Sequence, residues 1–278
     1  MNDVPEALVG ELRDLAERLA REAGTIALEG RRSFHDSASV SGATSSSITT
    51  KSSRTDLVTR FDRAAEAHVV ATLTELRPAD AIVGEEGTEV SGTSGFAWYI
   101  DPIDGTTNYV YDQPAWSCSV AVAHHGVMIA GAVAVPPLDE MFTAGRGQGA
   151  TRDGLMIAPS SETDLSLALV GTGFSYQAAT RGLQAERLVG IITHVRDIRR
   201  LGSAAVDLCM VACGRLDVYY EQGLNSWDAA AGELIAREAG AVTSDFDGAT
   251  ARPDQMVAAA PGVHAAFLDV LREVLRDV

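Results

Sequence analysis

The chain has 278 residues, 46% hydrophobic and 22% charged, enough for one large domain or two lobes around a substantial core. Its 22 basic and 38 acidic side chains give a formal charge of −16, which argues against a duplex-binding surface built from clustered Lys and Arg. No stretch approaches the roughly 20 continuous apolar residues of a membrane span, so neither nucleic acid nor membrane is expected as a partner.

Apolar side chains at Leu8, Leu12, Leu15, Leu19, Ala23 and Ile26 recur at helical spacing and predict a helix over 5–29, ending near Gly30. The acids Asp3, Glu6, Glu11 and Asp14 stand where a signal peptide needs a basic start. Cys118, Cys209 and Cys213 show no C-x-x-C spacing, and Cys209 and Cys213, one helical turn apart in an apolar stretch, are read as buried small hydrophobes in a reducing compartment. A cytoplasmic location is therefore expected. Residues 31–50 are rich in Ser, Thr, Gly and Ala, and a mobile loop is expected there. Next comes Lys51, the single lysine among the 22 basic residues. A coding bias toward Arg explains the pattern but not the exception. A compact ammonium on a flexible stem suits a site that handles phosphate, and chance survival is the competing explanation.

A second amphipathic helix is predicted over 62–76, closed by Arg77-Pro78, followed by a strand over 81–84 that ends on Glu85-Glu86-Gly87. Strands are then predicted at 96–100, 117–123, 127–135, 140–144 and 150–152, with Gly126, Pro136-Pro137 and the glycines of 145–149 as reversals. That glycine stretch lacks the G-x-x-x-x-G-K-[ST] pattern of a phosphate loop. His124 and His125 fall at a hairpin and receive no role. From about residue 158 strands at 167–171, 197–201, 216–220, 241–244 and 255–260 alternate with helices at 180–194, 204–213, 226–239 and 262–276. The pattern gives an α+β lobe with a largely antiparallel sheet over 1–158 and an α/β lobe over 159–278, with a cleft between them.

The most informative run is Trp98-Tyr99-Ile100-Asp101-Pro102-Ile103-Asp104-Gly105-Thr106-Thr107-Asn108. An apolar strand is expected to end on Asp101, with a proline bend, a second acid at Asp104 and a glycine turn presenting two threonines. Paired carboxylates at a strand mouth suit Mg2+, which takes oxygen ligands and is commonly held by one or two carboxylates plus a substrate phosphate. Taken alone, the run is equally well an Asx-rich turn. Glu85 and Glu86 end a strand, Asp228 lies in the first turn of a helix where the macrodipole would also favour it, and Asp62 opens a helix with the same bland explanation.

Together these residues carry a resemblance. Lys51-Ser52-Ser53, Asp56-Leu57-Val58-Thr59, Asp62, Gly84-Glu85-Glu86 and the 98–108 run follow in order. Gly202-Ser203-Ala204-Ala205, Tyr219-Tyr220-Glu221, Trp227-Asp228-Ala229-Ala230-Ala231-Gly232 and Glu238-Ala239-Gly240-Ala241 complete it. Over nearly its whole length the chain resembles the inositol monophosphatase family of Mg2+-dependent, Li+-sensitive phosphatases. The resemblance implies an α+β / α/β fold, the layered αβαβα sandwich of the inositol monophosphatase and fructose-1,6-bisphosphatase type, and a homodimer.

It also implies roles. Glu85, Asp101 and the Ile103 carbonyl would hold one Mg2+, and Asp101, Asp104 and Asp228 a second, with a third, looser ion reached by Glu85 through water. Thr106 with Asp62 would orient and deprotonate the attacking water, the amides of Gly105 and Thr106 would receive the phosphate, and Lys51 would stand near the ions. Gly202, Ser203, Ala204 and Glu221 would contact the alcohol. The implied reaction is hydrolysis of myo-inositol 1-phosphate, a small-molecule phosphate ester. Histidinol phosphate, fructose 1,6-bisphosphate and a 3′-phosphonucleotide stay open as substrates, as does a regulatory or binding protein that retains the fold.

Overall fold

A computed structural model describes residues 4–41, 48–50 and 57–277. Helix α1 (Glu6–Ser41) leads into a two-stranded ribbon, β1 (Ile48–Thr50) and β2 (Leu57–Thr59), and then helix α2 (Arg60–Leu76). Eight strands form the larger sheet: β3 (Ala81–Gly84), β4 (Glu89–Val90), β5 (Phe96–Asp104), β6 (Ser117–His124), β7 (Val127–Val135), β8 (Glu140–Gly145), β9 (Ala150–Arg152) and β10 (Leu155–Met156). A short helix, α3 (Thr106–Val110), interrupts the series. Their order is β10-β9-β8-β7-β6-β5-β3-β4, antiparallel except for β3 beside β5.

The remaining chain contributes β11 (Leu169–Thr172), α4 (Ala178–Ile192), β12 (Asp197–Arg199), α5 (Ala204–Ala212), β13 (Val218–Gln222), α6 (Ser226–Glu238), β14 (Val242–Ser244), β15 (Gln255–Ala259) and α7 (His264–Asp277). The second sheet runs β12-β11-β13-β15-β14, with β11 parallel to both of its neighbours. Helices α1 and α2 cover one face of the large sheet, α5 and α6 lie between the two sheets, and α4 and α7 close the far side. The layers are therefore αβαβα.

The sequence explains the sandwiching. Strands β6 (Ser-Cys-Ser-Val-Ala-Val-Ala-His) and β7 (Val-Met-Ile-Ala-Gly-Ala-Val-Ala-Val) lack the apolar–polar alternation of a half-solvated sheet and are buried almost throughout. Helix α6 opens with Ser-Trp-Asp-Ala-Ala-Ala-Gly, and small residues let it approach closely: a Cβ on Gly131 of β7 would lie 3.0 Å from the Ala231 backbone. Ala229, Ala231 and Leu234 thus share one core with Ala121, Val133 and Phe142. The expected division at 158 falls between the sheets, while this core runs across it. No helix among the described residues is long and apolar enough to cross a membrane.

Two expectations are corrected. The first helix does not end at Gly30 but continues to Ser41, so residues 31–41 are helical rather than loop. Gly30 marks a close approach, not a stop, because a Cβ there would lie 2.3 Å from the Phe61 ring. Arg31 then anchors the extension by pairing with Asp112 and standing 5.8 Å over the Trp116 ring. Residues 42–47 and 51–56, with Lys51, lie outside the described residues. The second correction concerns β5, which passes through Asp101 and Pro102 to Asp104, its register against β6 shifting between Asp101 and Asp104. A bulge of this kind re-aims side chains at the end of a strand.

The parallel pair β3 and β5 is tied down at its other end by Asp80. Its carboxylate accepts from Trp98 Nε1 (2.9 Å), Arg77 Nε (2.7 Å) and Ser94 Oγ (2.7 Å). Burial alone would raise the Asp80 pKa, but the hydrogen bonds from Arg77, Trp98 and Ser94 outweigh it and hold the group below the ordinary carboxylate value.

Candidate active site

The carboxyl-terminal ends of β3 and β5 lie side by side and deliver Glu85 and the Asp101–Asp104 bulge to one cavity of about 560 Å3. The first turn of α6 brings Asp228, the end of β13 brings Glu221, and the approach to α5 brings Gly202 and Ala204. Ile103, Gly105 and Thr106 complete the same wall.

Local contacts hold each group. Gly105 has φ 88°, a left-handed conformation, and a Cβ would stand 2.9 Å from the Ala115 carbonyl, so glycine is required on both counts. The Thr106 hydroxyl donates to the Ile103 carbonyl at 3.1 Å. Asn108 Nδ2 donates to the Leu201 carbonyl at 2.7 Å and also to Ala115, tying the turn to the segment before Gly202. Asp228 accepts from the Asn225 amide at 2.7 Å, so it caps α6 and lines the cleft at once.

The electrostatics are those of crowded anions. Burial raises the Asp101 pKa far above the ordinary value, and the charges of Glu85, Asp104 and Asp228 push it further. Asp104 is pushed up to about 8, chiefly by burial and then by Asp228, against the lowering effect of the Ser203 hydroxyl (2.6 Å) and the Ala205 amide (2.7 Å). Glu221 rises to about 7 through burial, partly offset by the Tyr219 hydroxyl at 2.6 Å and by Arg200.

Asp101 Oδ1 is buried and has no hydrogen-bond partner among the described residues. An acceptor left bare among other carboxylates is costly, and a hard divalent cation with an oxygen preference would satisfy it and offset the mutual repulsion. Glu85, Asp101, Asp104 and Asp228 therefore fit such an ion by chemistry. Among the described residues no group of three acid, imidazole or thiol side chains already stands at metal-holding geometry, so the carboxylates would have to draw in.

Ser203 and Asp62 stand apart from the cleft wall. Ser203 is buried as the N-cap of α5, its hydroxyl spent on Asp104 and accepting from the Val206 amide at 3.2 Å. Asp62 is buried in the first turn of α2; next to burial, its charge is the largest cause raising the Cys118 pKa. Since Cys118 Sγ donates to the Pro102 carbonyl at 2.8 Å, Asp62 lies behind the acidic turn.

The sequence reading missed the opposite wall: Gly173, Phe174, Ser175, Tyr176, Thr180 and Arg200. The signal available was position, since ligands in α/β sheets bind beyond the carboxyl ends of parallel strands and residue 173 follows β11 directly. A Cβ on Gly173 would lie 1.9 Å from a Glu221 carboxylate oxygen, so only glycine admits that carboxylate. Asp207 was also missed. It is buried in α5, and burial with the charges of Glu221 and Asp104 raises its pKa strongly.

Comparison with known proteins points one way. The family model described as "Inositol monophosphatase family" matches residues 9–276. The chain is 42% identical over 278 residues to "Inositol-1-monophosphatase SuhB" of Mycobacterium tuberculosis, covering 96% of each chain. It is 41% identical over 226 residues to "Nus factor SuhB" of Escherichia coli K12, covering 80% of this chain and 85% of that one. The crystal structure of extragenic suppressor protein suhB from Bartonella henselae superimposes with a TM-score of 0.85 at 30% identity, over 94% of this chain and 98% of that one.

Proposed function

The chain belongs to the inositol monophosphatase family, and on that premise we propose that it is a Mg2+-dependent phosphomonoesterase that hydrolyses myo-inositol 1-phosphate. The observation that carries this is the gathering of Glu85, Asp101, Asp104 and Asp228 in one cleft with the Asp101 oxygen bare. Glu85, Asp101 and the Ile103 carbonyl would hold one ion and Asp101, Asp104 and Asp228 another, with a third within reach of Glu85. Bound Mg2+ supplies an acidified water and neutralises the charge of the transferring phosphoryl group.

The protein's own groups do the rest. Thr106 orients the attacking water and relays its proton to the Asp62 carboxylate behind it. The water oxygen bonds to phosphorus, the ester P–O bond breaks, and the departing alcohol oxygen takes up, through solvent, the proton that Asp62 received. The amides of Gly105 and Thr106 receive phosphate oxygens, and Lys51 adds positive charge to a strongly acidic molecule. Glu221, beside Gly202 and Ala204, accepts hydroxyls of the polyol. Its carboxylate, held by Tyr219, favours a polyol over a nucleotide.

Phosphate release from inositol 1-phosphate, fructose 1,6-bisphosphate, histidinol phosphate and a 3′-phosphonucleotide, each with and without Mg2+ and Li+, tests this reading. The highest kcat/KM belongs to inositol 1-phosphate and disappears without Mg2+, and Li+ inhibits. Equal rates on all four substrates would remove the polyol assignment. We also place the enzyme in the cytoplasm as a homodimer, on the strength of its family. A second reading comes from the relative named Nus factor, which raises a regulatory role. The −16 charge argues against direct nucleic-acid contact in such a role and for a protein partner.

A further inference from the structure

We propose that Glu66 is a positioning residue that aims Glu85 at the metal cluster. Glu66 sits on α2, one helical turn after Asp62, and is buried outside the cleft. Both of its oxygens are spent on the turn that follows β3: Oε2 accepts from the Glu86 amide at 2.8 Å, and Oε1 from the Thr88 hydroxyl at 2.6 Å. With both oxygens engaged it is no ligand.

The turn it holds has little freedom left. The Gly84 amide donates to the Thr88 carbonyl at 2.8 Å, and the Glu85 amide to the Ile100 carbonyl at 3.1 Å, one residue before Asp101. A Cβ on Gly84 would lie 2.5 Å from the Glu66 carboxylate, so the glycine is the notch into which Glu66 fits. Glu85 is thus clamped between the backbone of β5 and a buried acid of α2. The same rigid helix face carries Asp62, so the water-orienting acid and the aim of Glu85 are set by one element.

The inference rests on the Mg2+ reading above, and the test separates the two. Mg2+ binding is measured calorimetrically on metal-free protein, alongside the Mg2+ dependence of phosphate release and thermal unfolding. Glu66→Ala removes both acceptors and raises the Mg2+ dissociation constant and the half-activating concentration about 10–100-fold, with kcat at saturating Mg2+ within about threefold of wild type. Glu66→Gln keeps an acceptor for the Glu86 amide and donates to Thr88, and it restores both Mg2+ constants to within about threefold. Val69→Ala, in the buried face of the same helix, lowers the unfolding temperature and leaves the Mg2+ constants unchanged.

A Glu66→Ala protein that behaves like Val69→Ala, less stable but with unaltered Mg2+ binding, overturns the proposal, as does a Glu66→Gln protein that rescues nothing. Should Glu66→Ala not fold, Thr88→Val decides: a rise of about threefold or more in the Mg2+ constant supports positioning, and no rise overturns it. Folded wild-type protein that binds no Mg2+ overturns the parent reading instead.

Discussion

Binding of Mg2+ at pH 7 is expected to expel protons from the acidic cleft, and the structure sets how many. In the metal-free protein Asp104 titrates at about 8, so at pH 7 about 0.9 of it carries a proton that an ion held there must displace. Asp101, raised by burial and then by Glu85, Asp104 and Asp228, adds to that release. At pH 9 the Asp104 share falls to about 0.1. Titration calorimetry in two buffers of different ionisation enthalpy counts the protons released. Release of fewer than about 0.3 at pH 7 would refute the placement of the ion against these groups.

The same shift fixes the sign of the stability effect. Asp104 has a folded pKa above its unfolded value, so its contribution is full below about pH 4 and is lost as pH rises through about 8. Metal-free protein should therefore melt lower at pH 8.5 than at pH 5.5, and Mg2+ should raise the melting temperature more at the higher pH.

Ser203→Ala deletes the shorter of two hydrogen bonds to Asp104, with an expected loss of about 1–3 kcal/mol, or roughly 5–150-fold, in Mg2+ affinity; calorimetry checks it. Gly173→Ala places a methyl where the Glu221 carboxylate sits, so KM for inositol 1-phosphate rises while the Mg2+ constant stays put; steady-state kinetics at several Mg2+ concentrations separate the two. Gly105→Ala combines an unfavourable φ with a close carbonyl contact and should lower stability by about 1–3 kcal/mol, read from denaturant unfolding.

Punctuation made much of the fold legible. Gly126 and Pro136-Pro137 bracket β7, and its bounds match the expected 127–135. The strand over 81–84 and the one over 150–152 are found as expected. The acids of the cleft were legible because they stand at strand ends and a helix start. What failed depends on contacts distant in sequence. Gly30 resembles a helix stop until Phe61 is seen against it. Glu66 and Asp207 sit in helices where an acid ordinarily faces water, and only the folded chain shows them buried. The wall at residues 173–176 carries no motif, because its role is set by the end of β11 rather than by side-chain type.

The central claim is that these carboxylates hold Mg2+ for phosphate-ester hydrolysis, and Asp104→Asn tests it most directly. With inositol 1-phosphate as substrate, wild-type protein should release phosphate only with Mg2+, and the variant should lose at least about 100-fold in kcat/KM while its fold, by circular dichroism, is kept. Mg2+-independent turnover by the wild type, or near-wild-type turnover by the variant, would contradict it.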